Sequence, residues 1–459
     1  MTTGFLIPDD ASRARLMAAP SSVVLIGGFD GSANFGDLLQ ARVGIERTLA
    51  ANRFAVVALV VEEAFVNHAL VALGAPADLV ILQYTDSPAR AALTQLPDLT
   101  LTYLYGGGYL NEAWSKRRLR HFDTVASLVS AHGNGGTPRV AATGLQVSPH
   151  DRLWEWKEWL AAADPLRVRD EASAIALSDA GVPRAQIQTS ADDAIAGLVA
   201  SGLRTDGDLK CINIHLSISD YATDDAEARL TWMLDALATL AQSTPQLRCK
   251  LIVAFDDPRV SERDALNKLE RRYCERAESG ATPAIEFETV SLVDSLAAGN
   301  DLVLGAGGTI TSSYHVGLAS LWAQIPTLLL ADNDFYRQKM GALAASFVLP
   351  CEAIVSTTAS PSCSVAMVLA DVRTSLAISH ESAVALMRAQ ADGADHAVSS
   401  AIIRLDRDLM WHDTMSVFPH YRVLCEEVAE LQERKQYLEL HIDELRAKLT
   451  TVQAQNAAE

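Results

Sequence analysis

The sequence reads VVLIGGFDGSANFGD from Val23 to Asp37, a short apolar run that ends in glycines and leads into a polar turn. Such a run is typical of a buried parallel strand that turns tightly into a helix. Five further apolar runs follow before residue 200, separated by longer amphipathic segments; they are FAVVALVV, LVIL, LTYLYGGG, RVAATGLQV and LRVRD. The alternation predicts a parallel sheet covered by helices on both faces.

The pattern then restarts between Lys210 and Asp332, where the predicted strands are CINIHLSIS, KLIVAFDD, AIEFETV, DLVLGAG and PTLLLAD. Helices are predicted over residues 226–242 and 262–279, and Leu203 to Asp208 is the expected linker. The fold class predicted is therefore α/β, with two Rossmann-like, doubly wound domains that face each other across a cleft. In such folds ligands bind at the carboxyl ends of the strands.

Five segments are expected along the chain. They are an N-terminal extension (1–20), an N-terminal Rossmann-like domain on the acceptor side (21–203), a C-terminal Rossmann-like domain on the donor side (204–350), a helical packing segment (351–415) and a coiled-coil tail (416–459). In the tail, heptad d positions hold Leu424, Leu431, Leu438, Leu445 and Val452, and a positions hold Val428, Lys435, Ile442 and Leu449. This heptad predicts a parallel homodimer, with a single solvated helix as the alternative.

Composition excludes several classes of protein. The 459 residues carry a formal net charge of −19, which opposes binding to nucleic acid. No run of about 18 apolar residues is present, so stable membrane insertion is not expected and the cytoplasm is the predicted location. The six cysteines are scattered without the spacing of a disulfide framework or a zinc site, and no metal is expected.

The first glycine-rich turn contains Asn34, Gly36 and Asp37. It lacks both the G-x-G-x-x-G fingerprint and the P-loop lysine, which disfavours a dinucleotide or nucleoside triphosphate. A carboxylate at Asp37 would repel a phosphate, so we expect this turn to hold a neutral polyol or a hydroxyl that needs a base. The alternative is that Asp37 only caps the helix that follows.

Two further turns are expected to contribute to the acceptor side. The glycines Gly107 and Gly108 follow a strand, and Tyr109 with the nearby Trp114 could stack on a sugar or fill an interface. Gln146 lies in a third turn, over residues 144–149.

Candidate anion-binding residues follow other strands. Arg169 is the first, with a structural ion pair to Asp170 or Asp192 as its alternative. In the second half, a glycine turn with Gly307 and Gly308 leads to His315 at the start of a helix, and the next strand is followed by Arg337 and Lys339. His315 is the candidate proton donor, against the alternative of an ordinary core histidine.

The motifs resemble, in their order and spacing, those of the polysaccharide pyruvyl transferase family. They are N-x-G-D (Asn34 to Asp37), G-G-G (Gly106 to Gly108), the 144–149 turn, R-D-x-x-S (Arg169 to Ser173), Ala191-Asp192, Tyr314-His315 and Lys339. The match covers about residues 21–343 and leaves out the tail.

The resemblance implies a glycosyltransferase-type (GT-B-like) enzyme that moves the carboxyvinyl part of phosphoenolpyruvate, its co-substrate, onto a sugar as a ketal and releases phosphate. The acceptor would be a cell-surface glycan or its precursor, and no dissociable cofactor is implied. It gives His315 the role of acid, Lys339 and Arg169 the role of donor clamps, and Asp37 the role of acceptor-side carboxylate.

One position departs from the family. Many members carry Arg two residues before the histidine, where this chain has Ser313. Ser cannot make the bidentate contact to an anion that Arg makes. Ser313 therefore takes the position of that arginine in the predicted donor site, and Arg337 or Arg259 would supply the missing guanidinium. The alternatives are a nucleotide-sugar-dependent glycosyltransferase of the same build and a non-catalytic scaffold dimerised by its coiled coil.

Overall fold

The structure is a computed structural model. It describes residues 4–6, 9–52, 55–74, 78–85, 96, 99–111, 139–149, 153–219, 222–223, 225–257, 260–357 and 365–414, and single residues or pairs between 431 and 448. Trp114 and Arg259 lie outside these residues, as does most of the predicted coiled coil. Of its heptad, Leu431, Leu438 and Ile442 are described, and all three are exposed.

The chain divides into two compact units. The first consists of residues 1–31, 37–197 and 385–459, and the second of residues 32–36 and 198–384. The expected boundary at residue 203 therefore lies slightly after the observed division. The residues Ser32–Gly36 belong by their contacts to the second unit although their chain neighbours belong to the first, and we call them the inserted segment.

Among its described residues, the first unit contains nine strands: β1 (Gly4–Leu6), β2 (Ser21–Ile26), β3 (Val56–Glu62), β4 (Leu79–Thr85), β5 (Leu99–Leu104), β6 (Gly107–Leu110), β7 (Arg139–Val147), β8 (Ala163–Val168) and β9 (Ile187–Thr189). The sheet order is β1-β4-β3-β2-β5-β7-β8-β9, with β6 on β7. Six parallel strands from β4 to β8 thus follow the Rossmann order 3-2-1-4-5-6. Only β1 is antiparallel, and it places the predicted N-terminal extension on the edge of the sheet.

Helices of the first unit are α1 (Asp10–Ala18), α2 (Phe35–Ala51), α3 (Val66–Ala72), α4 (Lys157–Ala161), α5 (Glu171–Asp179) and α6 (Ala194–Ala200). The last of these extends into the second unit. The core is formed by aliphatic residues of the parallel strands, and β2 and β5 are buried along their whole length. This uniform burial explains why the strand sequences are continuously apolar rather than alternating.

The second unit repeats the same design. Its strands are β10 (Arg204–Thr205), β11 (Cys211–His215), β12 (Arg248–Val253), β13 (Asp256–Asp257), β14 (Val260–Ser261), β15 (Glu286–Ser291), β16 (Val303–Leu304), β17 (Gly308–Thr311), β18 (Thr327–Leu330) and β19 (Ile354–Val355). The main sheet has the order β15-β12-β11-β17-β18-β19, which is again 3-2-1-4-5-6, and its pairs are all parallel. Both units are therefore doubly wound α/β folds, as the sequence predicts.

Helices of the second unit are α7 (Ala226–Ser243), α8 (Glu262–Glu278), α9 (Leu292–Ala297), α10 (Tyr314–Trp322) and α11 (Asp334–Ser346). The two helices that the sequence predicts, α7 and α8, end within one residue of the expected positions. A long helix, α12 (Val365–Thr414), follows. Its residues up to Val384 belong to the second unit and those from Ala385 to the first.

The prediction that DLVLGAG forms a strand of the main sheet is wrong. Only Val303–Leu304 is extended there, and it pairs with β10 outside the main sheet. The strand that lies beside β11 is β17, with the sequence GTIT. Its two threonines and one isoleucine are fully buried and β-branched, which suits a central strand, whereas the glycines before it hide the strand from a search for apolar runs.

Candidate functional site

The second sheet reverses its strand order between β11 and β17. At such a switch point the connections leave toward opposite faces and open a crevice at the carboxyl ends of the two strands. His215 is the last residue of β11, and Ser312 follows β17 directly. Helix α10 begins at Tyr314, so His315 lies in its first turn at this switch point.

His315 and Lys339 are brought to the same aromatic ring. The ring of Tyr314 meets the His315 imidazole edge to face at 5.1 Å between centroids, and Lys339 Nζ lies 5.6 Å from the Tyr314 centroid. The lysine is also 5.7 Å from the ring of Phe335 and 5.8 Å from that of Tyr336. Cation–π attraction to an ammonium group is favourable at such distances.

The inserted segment lies against His315. Phe35 N donates to Ala254 O at 2.8 Å, and Asn34 forms an antiparallel bridge with Phe255. These bonds bring Gly36 so close to His315 that a Cβ atom at this position would overlap the imidazole ring. Glycine is therefore needed here for close approach, and Asn34, Gly36 and His315 form one cluster in the second unit.

Two more predicted donor residues have structural partners. Ser313 is the N-cap of α10, and its Oγ accepts the Val316 N–H at 3.4 Å. Arg337 is exposed and forms an ion pair with Asp334 at 2.7 Å. A capping hydroxyl thus stands where the resembled family has a guanidinium two residues before the histidine, and the described ion pair of Arg337 is with Asp334.

The predicted roles of Gly307 and Gly308 need correction. Both lie at the amino end of β17, whereas His315 follows its carboxyl end. Gly307 packs against the backbone of Leu209 and Cys211, where a Cβ atom would be 2.8 Å from Cys211 O. Its carbonyl also accepts a bond from Arg373. These glycines allow two backbones to approach, and the structure does not bring them to the switch point.

Charged groups at the same edge of the second sheet form a buried ion pair. Arg229 donates to Asp332, which follows β18, at 2.5 Å, and both side chains are almost fully buried. Burial raises the pKa of Asp332, but hydrogen bonds from Thr357 and the charge of Arg229 outweigh it and lower the pKa below its ordinary value. The pair therefore stays ionised and fixes the start of the segment that leads to Lys339.

In the first unit the switch point lies between β2 and β5. Gly28 N donates to Gly106 O across it at 3.4 Å. Asp37, in the first turn of α2, has its carboxylate beside Gly28, where a Cβ atom would be 2.6 Å from Oδ1. Asn34 precedes α2 and its Oδ1 accepts the Gly36 N–H at 3.2 Å, as an N-cap side chain does.

The other predicted acceptor residues lie on strands. Gly107 begins β6 with φ +127°, a backbone conformation that favours glycine, and Gly108 O accepts a bond from Asn111. Tyr109 is 3% exposed and its hydroxyl donates to Tyr105 O, so the prediction that its ring stacks on a sugar is wrong. Gln146 is also buried, within β7 rather than in a turn.

Arg169 makes the ion pairs that the sequence kept as its alternative. Its Nη1 lies 3.1 Å from Asp192 and its Nε 3.5 Å from Asp170. Gln40 also donates to Asp192, at 2.8 Å. Arg169 therefore belongs to a buried network of the first unit, where a charge is tolerated because it is paired.

A second buried network supports the glycines of the first unit. Arg47 Nη1 donates to Asp193 at 2.5 Å, and Asp193 accepts the Gly106 N–H at 2.9 Å and the Thr143 hydroxyl at 2.8 Å. Arg47 is also paired with Asp395 of α12. Sequence reasoning names neither Arg47 nor its partners Asp193 and Asp395, because a single Arg within an amphipathic helix resembles a solvated surface residue.

Further buried polar groups at the second switch point are absent from the sequence predictions. His215 Nε2 lies 2.9 Å from Glu262 Oε1, and its Nδ1 lies 3.4 Å from Ser312 Oγ. The available signals are the polar end of the strand CINIHLSIS and an acidic residue at the start of α8. Neither stands out without the topology that places β11 beside β17.

The arrangement in the second unit offers an imidazole and an ammonium group near a helix N-terminus. A histidine can move a proton, and a lysine near the positive end of a helix dipole can hold an anion. Within the described residues, no group of three or more His, Cys, Asp or Glu side chains could hold a metal ion. No helix in that part of the chain is long and apolar enough to cross a membrane.

No protein-family model matches the chain, and no curated protein matches its sequence. Solved structures match it at low identity. UDP-GlcNAc 2-epimerase from Neisseria meningitidis, bound to UDP-GlcNAc, is 12% identical with a TM-score of 0.48, over 84% of this chain and 99% of that one. UDP-N-acetylglucosamine 2-epimerase from Rickettsia bellii is 14% identical, with a TM-score of 0.47 over 87% and 99%. HepE from Anabaena, in complex with UDP-glucose, is 15% identical, with a TM-score of 0.41 over 87% and 100%.

Proposed function

We propose that the chain is a transferase that binds an anionic donor at the switch point of its second unit and transfers part of it to a sugar hydroxyl. The first candidate donor is phosphoenolpyruvate, which the resemblance of the motifs implies. The single observation that carries this proposal is the position of His315 and Lys339 around Tyr314, where an imidazole and an ammonium group lie near the same ring.

The proposed reaction assigns a separate task to each group. His315 donates a proton to the methylene carbon of phosphoenolpyruvate, which becomes a methyl group, while Lys339 stabilises the negative charges of the donor. Two sugar hydroxyl oxygens then bond to the neighbouring carbon and the carbon–oxygen bond to phosphate breaks. One hydroxyl proton restores the histidine and the other leaves with inorganic phosphate, so the products are a pyruvate ketal and phosphate.

A nucleotide sugar is the second candidate donor. It too would present phosphates to the first turn of α10 and to Lys339, and it differs in needing a site for a base and a ribose. Two of the solved structures named above are complexes with UDP-GlcNAc and UDP-glucose, so uridine nucleotides belong in the same experiment.

The test is release of phosphate from phosphoenolpyruvate in the presence of a panel of glycans, and of UDP from UDP-sugars. His315→Ala and Lys339→Ala are compared with the wild type. Lys210→Ala is the matched control, because Lys210 is an exposed cation before the amino end of β11. We expect phosphate release that falls at least about 100-fold in His315→Ala and stays unchanged in Lys210→Ala.

Three results would count against pyruvyl transfer. Equal phosphate release from all four proteins would exclude the roles given to His315 and Lys339. Release of UDP alone would support the nucleotide-sugar reaction, and no release from any donor would favour the non-catalytic scaffold.

A further inference from the structure

A series of hydrogen bonds connects Glu262 to the inserted segment, all within the second unit. Glu262 Oε2 accepts the backbone N–H of Ala254 at 3.0 Å and that of Phe255 at 2.8 Å. Glu262 is 6% exposed, and a buried carboxylate of this kind is stable only because its oxygens are hydrogen-bonded. It therefore fixes the backbone at the carboxyl end of β12.

The backbone that Glu262 holds is the one that binds the inserted segment. Ala254 O accepts the Phe35 N–H at 2.8 Å, and Ala33 O accepts the Asp256 N–H at 2.9 Å. Between these two bonds lies the bridge from Asn34 to Phe255. A shift of residues 254–256 would therefore move residues 33–35 with it, and Gly36 would leave its contact with His315.

His215 holds the same site from the other side. Its Nε2 bonds to Glu262 Oε1, and its carbonyl accepts the Ser312 N–H at 3.4 Å. Ser312 precedes His315 by three residues and lies just before α10. His215 thus connects Glu262, which fixes the backbone that binds the inserted segment, to Ser312, which precedes the helix that carries His315.

The order Ser312, His215, Glu262 resembles that of a nucleophile, a base and an orienting acid, but the geometry does not suit a nucleophile. The distance from Ser312 Oγ to His215 is 3.4 Å, long for such a bond, and Ser312 Oγ already accepts the Ser217 N–H at 2.8 Å. Ser312 is also only 1% exposed. These contacts position backbone and leave no room for a substrate.

We propose that Glu262, oriented by His215, is a positioning residue for His315: by clamping residues 254–255 it holds the inserted segment, and through Gly36 the imidazole, in the geometry for proton transfer. The inference rests on the proposed function for the role of His315. The Glu262 carboxylate acts through backbone hydrogen bonds and touches no substrate.

The first experiment needs no substrate. Hydrogen–deuterium exchange of the peptides that contain residues 32–36 and 253–257 is measured in wild type, Glu262→Ala and Glu262→Gln, together with the His315 ring resonances, which are assigned by their loss in His315→Ala. Glu275→Ala is the control, since Glu275 is an exposed carboxylate on the same helix. We expect faster exchange and shifted His315 resonances in Glu262→Ala, a smaller change in Glu262→Gln, and none in Glu275→Ala.

The second experiment uses whichever donor is turned over. We expect Glu262→Ala to lower kcat by about 10- to 100-fold with little change in KM for the donor, because misplacement of a catalytic group by about 1 Å has effects of this size. Glu262→Gln, which keeps an acceptor for the two N–H groups, should recover part of the loss. A folded Glu262→Ala protein with wild-type exchange and His315 resonances would overturn the inference.

If Glu262→Ala does not fold, Glu262→Asp decides. Aspartate keeps the charge and shortens the side chain by one methylene. We therefore expect faster hydrogen–deuterium exchange and shifted His315 resonances in this variant as well. A folded Glu262→Asp protein without these changes overturns the inference. Failure of the proposed function has a different signature, namely no transfer from any donor by the wild type while the exchange and resonance results still follow Glu262.

Discussion

Gly36 and His315 come from opposite halves of the sequence, yet the backbone of the first lies directly against the imidazole ring of the second, with no space for a methyl group between them. The contact explains why a glycine follows Asn34 and Phe35 at the start of a helix, where glycine is otherwise unfavourable. It also makes the inserted segment a wall of the candidate site.

Replacement of Gly36 by alanine tests this wall. The added methyl group must displace either His315 or the inserted segment, so we expect transfer to fall by about 100-fold while the far-ultraviolet circular dichroism stays close to that of the wild type. Gly341→Ala is the matched control, because a Cβ atom there meets nothing within 4 Å. As Gly341 lies inside α11, this control should gain up to about 1 kcal/mol of stability and lose no activity.

Ser313 should behave as a helix cap. Its Oγ accepts a backbone N–H at the start of α10, so Ser313→Ala should lower the free energy of unfolding by about 1 kcal/mol, and Ser313→Asp by less. The measurement is urea denaturation, combined with KM for phosphoenolpyruvate. A tenfold rise of KM in Ser313→Ala at unchanged stability would instead mean that the hydroxyl binds the donor.

Arg47 should matter far more for stability than an exposed arginine. Its side chain is 4% exposed, and its removal leaves the buried Asp193 without its cation. We expect Arg47→Met to lower the free energy of unfolding by about 3–5 kcal/mol. Arg184→Met breaks the exposed pair with Glu171 and should cost less than about 1 kcal/mol. Similar losses in the two variants would contradict the structural role of the network.

The lowered pKa of Asp332 predicts that the protein loses stability in acid. Its pKa is lowered in the folded protein, so its ionised form contributes stability above the unfolded-state pKa of about 4, and this contribution disappears as the pH falls through the lower folded-state pKa. The stability difference between wild type and Asp332→Asn should therefore be largest near neutral pH and should narrow below about pH 4. Asp334→Asn, at an exposed neighbouring carboxylate, is the surface control for this substitution. The readout is the urea midpoint between pH 7 and pH 3.

The tail should control the oligomeric state. Light scattering of the full chain and of a chain truncated after Pro419 should give the mass of a dimer and of a monomer, because the heptad lies beyond that residue. The same number of chains per particle in both preparations would refute the coiled coil.

Sequence patterns predict the sheets well and the site only in part. Strands such as β2 and β11 are short, apolar and buried on both faces, so their position is visible in the sequence. The strand β17 is not, since its four residues begin with a glycine and alternate threonine with isoleucine. Misplacing it moved Gly307 and Gly308 to the wrong end of the strand.

The partners of the candidate residues could not be predicted for a different reason. His315 and Lys339 are recognisable as residue types near strand ends, but the contact of His315 with Gly36 joins residues almost 280 positions apart. Arg169 illustrates the same limit, because its ion pair with Asp192 depends on the parallel order of β8 and β9. Such contacts follow from topology and are not encoded in any local pattern.

The inserted segment also determines how this protein can be divided for study. A fragment of residues 198–384 contains the whole main sheet of the second unit, His315 and Lys339, but it lacks the inserted segment, whose Gly36 lies against the imidazole. Expressed alone, such a fragment would leave residues 254–256, which follow β12, without their backbone bonds to residues 33–35. A synthetic peptide that spans residues 32–36 is therefore the natural complement to supply in trans.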